Sequence, residues 1–136
     1  METCQETRPR EYVVINIDRQ STVAQRVSVA GNSSARRKGL LGIERLPAGA
    51  GLWIAPCEAI HTFGMKVPID AIFLDRNLHV KKLRCHLLPS RISLCLSADS
   101  VLEVEAGTAA RTGTAIGDRL KFERPGHAEA FAPPPR

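Results

Sequence analysis

The six residues Ile69–Leu74, IDAIFL, constrain this chain more than any other stretch. They are apolar on both parities, so a strand built from them has no solvent face and lies at the centre of a sheet. Asp70 breaks the pattern one residue in. A carboxylate at that position needs partners, since an unpaired buried charge costs several kcal/mol or holds its proton. Arg91 and the backbone amides of residues 61–66 are the partners within reach of the sequence pattern.

The neighbouring segments extend the sheet. Tyr12–Ile17 and Val23–Ala30 read as a hairpin around the turn Asp18–Thr22. Gly51–Ala55 is a short buried strand ended by Pro56. His79–Leu83 returns beside the central strand, half solvated by Lys81, Lys82 and Arg84. Arg91–Leu96, Val101–Val104 and Ile116–Glu123 supply the remaining extended pieces. Two short helical turns interrupt them. Ala35–Leu41 is capped by Ser33 or Ser34 and closed by Gly42, and Ala109–Thr112 is capped by Thr108 and closed by Gly113. The expectation is a mainly β (α+β) domain: a small, strongly bent antiparallel or mixed sheet, or a partly closed barrel, of about six to eight short strands with two short helices.

At 136 residues the chain is one domain by length. Residues 1–10 read as an N-terminal tail, 11–124 as the domain and 125–136 as a proline-rich C-terminal tail. The formal charge of +5 is scattered over Arg36-Arg37-Lys38, Lys81-Lys82 with Arg84, and Arg124. No aromatic residues interleave with these groups, which argues against specific nucleic-acid binding. No apolar run approaches a membrane span, and the N-terminus lacks the apolar core of a signal peptide. The four cysteines form no CxxC pair. The reading is a cytoplasmic protein with reduced thiols, without cofactor, monomeric or weakly dimeric through a β edge.

The blocks ARRKGLLG, GLWIAPC, IHTFGMKVPIDAIFLD, VLEVEAG and IGDRLKF, in that order, resemble the DUF192 family of uncharacterised bacterial and archaeal proteins. The likeness runs from about Val23 to Phe122. It implies a compact β-rich domain and no particular activity. Many members read Trp-Met-Lys-Asn-Thr where this chain has His61-Thr62-Phe63-Gly64-Met65, while Pro68, Asp70 and Phe73 keep the family framework. The chain looks like a subgroup with a Cys…Ile-His-Thr version, so any role of His61 belongs to that subgroup.

The segment from Cys57 to Asp70 carries the candidate chemistry. Cys57, His61 and Met65 are spaced four apart, and their soft donors would suit an ion such as Cu(I). Gly64 and Pro68 oppose the helix that would stack them, and cysteine and methionine are common core fillers. His61 is a candidate general base, with Asp70 or Cys57 as its partner in a hydrolase-like site. The leading reading is a binding or accessory module. In it His61, Thr62, Met65, Asp70 and Arg91 line a polar cleft for a small anionic or polyhydroxylated ligand or an acidic protein partner. If their strand is amphipathic, Glu103 and Glu105 point outward together, and Asp118 serves a turn.

Overall fold

The structure is a computed structural model that describes residues 11–40 and 42–125. The expected tails fall outside the described residues, apart from Pro125. The strands are β1 (Glu11–Asn16), β2 (Ser21–Ala30), β3 (Ala50–Ile54), β4 (Ala59–His61), β5 (Ile69–Leu74), β6 (Val80–Leu87), β7 (Ile92–Leu94), β8 (Ser100–Glu105) and β9 (Leu120–Glu123). The helices are α1 (Ser33–Lys38) and α2 (Thr108–Thr112).

Seven strands form one curled sheet in the order β6-β5-β8-β3-β2-β1-β9. The β2–β3 pair is parallel, and α1 lies in the connection between them. The other pairs are antiparallel. β5 sits between β6 and β8, and every residue in it is buried, as its two-sided apolar pattern requires.

The edges of the curl meet at one end. Val80 N–H donates to Asp118 O at 2.8 Å, Gly117 N–H to Val80 O at 2.8 Å and Leu120 N–H to Leu78 O at 2.9 Å. These bonds occupy backbone groups that an open sheet edge would leave to solvent or to another chain. The result is a half-barrel pinned shut at one end.

Each face of the sheet has its own core. Val14, Val27, Ile72, Leu74, Leu102, Val104 and Leu120 are buried together on one face, with Tyr12, Trp53 and Phe122 packed against them. Trp53 stacks on Phe122 at 4.0 Å between ring centroids, and Tyr12 meets both rings edge-on. The other face buries Ile54, Ile69, Ala71, Phe73 and Val101 beneath Leu40, Ile60, Met65 and Leu87. Each fully buried side chain of this size contributes about 1.5–3 kcal/mol of transfer free energy.

The boundaries depart from the sequence reading for identifiable reasons. Asn32, not Ser33 or Ser34, caps α1, its Oδ1 accepting from Ala35 N–H at 2.8 Å. The helix stops at Gly39, whose φ of 50° is left-handed, three residues before Gly42. Thr108 makes no side-chain cap for α2. Ile116 and Gly117 lie in a turn before β9, and Ile116 is exposed. β4 is an addition. It pairs with β7 as a separate two-stranded sheet over the second core. Among the described residues no helix is long and apolar enough to cross a membrane.

Candidate functional site

The segment 57–70 does not gather its polar side chains around one hollow. Asp70 is 1 % exposed, and both its oxygens are engaged. Oδ1 accepts from His86 N–H at 2.8 Å, and Oδ2 accepts from Gly107 N–H at 3.1 Å and Ala109 N–H at 2.9 Å. Its partners are therefore backbone amides, as the sequence allowed, but those of β6 and the start of α2 instead of residues 61–66 or Arg91. The carboxylate does the capping that Thr108 was expected to do.

Thr62 is buried and joins two loops. Its hydroxyl donates to Leu88 O at 2.6 Å and accepts from Arg91 N–H at 2.8 Å. Its own N–H reaches Arg91 O at 2.8 Å. Met65 is buried in the second core, where Cys57 also packs. Arg91 is exposed, its guanidinium donating to the carbonyls of Pro89 and Ser90.

His61 faces the other way, outward from β4. Its Nδ1 accepts from Phe63 N–H at 3.3 Å, and its ring lies 5.5 Å from that of Phe63. The Cys57 thiol donates to Ala59 O at 3.1 Å, and burial pushes it up from its ordinary value. A thiol held on a carbonyl and made less acidic is poorly set up as a nucleophile. The hydrolase pairings are thus not assembled: Asp70 is committed to amides, Cys57 to a carbonyl and His61 to its own loop. The soft-metal set is divided likewise, with Cys57 and Met65 toward the core and His61 toward solvent.

His61 belongs instead to an exposed apolar strip. The β4–β7 register sets Ala59 opposite Leu94 and His61 opposite Ile92, while Ile60 and Ser93 between them are buried. Alternation thus turns Ala59, His61, Ile92 and Leu94 to the same outer face. Ile92 is 61 % exposed, Phe63 48 % and Leu94 47 %, and Leu88 and Leu96 are exposed beside them. Lys82 Nζ reaches Leu94 O at 2.6 Å and Arg84 Nη1 reaches Ser93 Oγ at 3.5 Å. Lys82 and the exposed Arg91 thus set positive charge at the edge of the strip, while Arg84, on the buried Ser93, lies beneath it.

The sequence reading set Glu103 on an outward face beside Glu105. It is not outward-facing. It sits on β8 between Leu52 of β3 and Ala71 of β5, and it is 2 % exposed. Its Oε1 has no hydrogen-bond partner among the described residues, and burial pushes its carboxyl up to about 7. Glu105, two residues on, reaches the surface and lies 3.8 Å from Arg111. The signal available in the sequence was the near-unbroken apolar run of Val101–Val104, the same argument that placed Asp70 in a central strand.

Fold and surface together define a small half-barrel β domain with a two-stranded flap over its outer face. More particularly, the chain belongs to the DUF192 family (uncharacterized ACR), whose profile matches residues 13–122. No curated protein matches it in sequence. Two solved structures are similar. One is a proposed transcription regulator from Sinorhizobium meliloti, 22 % identical, with a TM-score of 0.74 over 85 % of this chain and 94 % of that one. The other is a protein of unknown function from Novosphingobium aromaticivorans, 20 % identical, with a TM-score of 0.69 over 89 % of this chain and 98 % of that one. At these identities the likeness establishes the fold.

Proposed function

We propose that the domain is an accessory module that docks an acidic partner protein on the outer face of β4 and β7. The observation that carries this reading is the strip itself. Large apolar residues are buried through most of the sheet, yet Phe63, Leu88, Ile92, Leu94 and Leu96 are exposed around His61. Clustered apolar side chains rimmed by polar groups mark interaction surfaces, whereas isolated ones need no explanation. Lys82 and Arg91 at its margin favour a partner that carries carboxylates among apolar residues. Of the occupants the sequence left open, a small anionic or polyhydroxylated ligand or an acidic protein partner, this reading takes the acidic partner and moves it from a cleft to the face of a short sheet.

Titration of the isotopically labelled protein with a short peptide alternating glutamate and leucine tests this. Amide shifts should concentrate at 59–63 and 88–96, weaken as salt is raised, and vanish in Ile92→Glu. Shifts spread evenly over the domain, or retained in Ile92→Glu, reject the reading. Sedimentation of the free protein separates the other occupant of such a strip, a second copy of the chain.

A further inference from the structure

A second site lies on the same side of the sheet but away from the strip. Residues 39–40, 43 and 45–47, between α1 and β3, line with the sheet an open hollow of about 410 Å³. Ala30, Leu40, Ile43, Leu46 and Leu52 give it apolar walls. Ser28 and Arg45 supply polar groups. This volume falls within the range of small-molecule sites, toward its lower end.

Glu103 stands behind this wall. Leu52, which lines the hollow, is its cross-strand neighbour on β3. Gly39, which also lines it, is so close that a Cβ added there would lie 4.0 Å from Glu103 Oε1. Glu103 is not itself part of the lining, and Gly39 and Leu52 are the lining residues nearest its carboxylate. Leu52 and Ala71, its neighbours across the sheet, offer no charge. The nearby titratable groups are Cys57 after β3, whose thiol feels Glu103, Arg36 of α1 and Glu58 together. Arg45 lies in the hollow's wall.

We propose that this hollow binds a small primary amine with an apolar tail, its ammonium group reaching past Gly39 to the Glu103 carboxylate and its tail lying against Leu40, Ile43 and Leu52. The argument is one of matching. A buried carboxylate oxygen without a donor is rare in folded proteins and unfavourable. An apolar lining cannot supply that donor, and a ligand with N–H groups at one end can. A charge-assisted hydrogen bond in so dry a setting is among the strong ones. The proposal is independent of docking on the β4–β7 strip.

Hexylamine, hexanol and hexanoate are suitable probes, because they share a tail and differ at the head. Hexylamine should raise the melting temperature saturably, hexanol much less and hexanoate not at all. Glu103→Gln should lose about tenfold or more in hexylamine affinity, as expected for a lost charge-assisted bond. Ile92→Glu should bind it unchanged. In the wild-type protein, carbon-detected titration of the Glu103 carboxyl should show its midpoint, near 7 in the free protein, falling when hexylamine is bound. That measurement decides the matter even if Glu103→Gln does not fold. Absence of saturable hexylamine binding, equal binding of hexanol, or a midpoint unmoved at saturation would overturn the proposal.

Discussion

Asp70 and Glu103 occupy adjacent rungs of the β5–β8 ladder, where Asp70 pairs with Val104 and Ala71 with Glu103. Burial treats them oppositely because their surroundings differ. Asp70 accepts three backbone N–H groups, while Glu103 Oε1 accepts none among the described residues. Asp70→Ala should therefore lose about 3 kcal/mol or more of stability, read as a lower urea midpoint, because three buried donors lose their acceptor together. Glu103 behaves in the reverse sense. Its carboxyl is raised from an ordinary 4.5 to about 7, so the native state holds a proton that the unfolded chain has released. Its contribution is fully present below pH 4.5 and is lost as pH rises through 7, by about 3 kcal/mol in all. Glu103→Gln should remove that fall, so urea midpoints at pH 5 and pH 8 should lie closer together in the variant. The need of Asp70 for partners was legible in the sequence. Their identity was not, because Gly107 and Ala109 are 37 and 39 residues away. The alternation Glu-Val-Glu misled for Glu103, since nothing local says that the segment containing α1 covers that side of β8.

Most of the elements were legible because strand pairing needs only the pattern of apolar and turn residues. β4 was not, being three residues long and stable only by pairing with β7. The α1 start was misread among Asn32, Ser33 and Ser34 because all three are good caps, and backbone geometry chose between them. Gly51 shows a constraint at this scale that φ does not reveal. A Cβ there would meet Glu103 O at 2.9 Å and Val104 Cγ1 at 3.0 Å, so β3 and β8 approach through a missing side chain. Gly51→Ala should cost about 1–3 kcal/mol, with amide shifts centred on the β3–β8 ladder. A variant as stable as the parent would show that the two strands can part without loss.

Closure belongs to the whole molecule. The turn before β9 is held by Asp118, whose Oδ2 accepts from Arg19 Nε at 2.8 Å, Asn16 Nδ2 at 3.0 Å and Ala115 N–H at 2.9 Å. The hydrogen bond from Arg19 holds the Asp118 carboxyl below its ordinary value. Its contribution is therefore present above about 3.8, and is lost as pH falls through the lower native value. Asp118→Ala should speed hydrogen exchange at the Val80 and Leu120 amides, which close the curl, before it affects the centre of β5. Uniform acceleration across the sheet would mean that closure and core open as one unit. The sequence placed Asp118 in a turn, but the turn's link to the β1–β2 connection spans about a hundred residues and has no local signature.

The sequence by itself determined which segments are extended, which of them is central, where the chain turns and which family pattern it follows. Each of these depends on neighbours within a few residues. Tertiary structure alone decided that Asp70 is sealed by amides, that His61 looks out over an apolar strip and that Glu103 Oε1 is buried with no donor among the described residues. Those outcomes depend on which distant backbone or side chain fills the space next to a polar atom, and that space exists only once the sheet has curled and its faces have been covered.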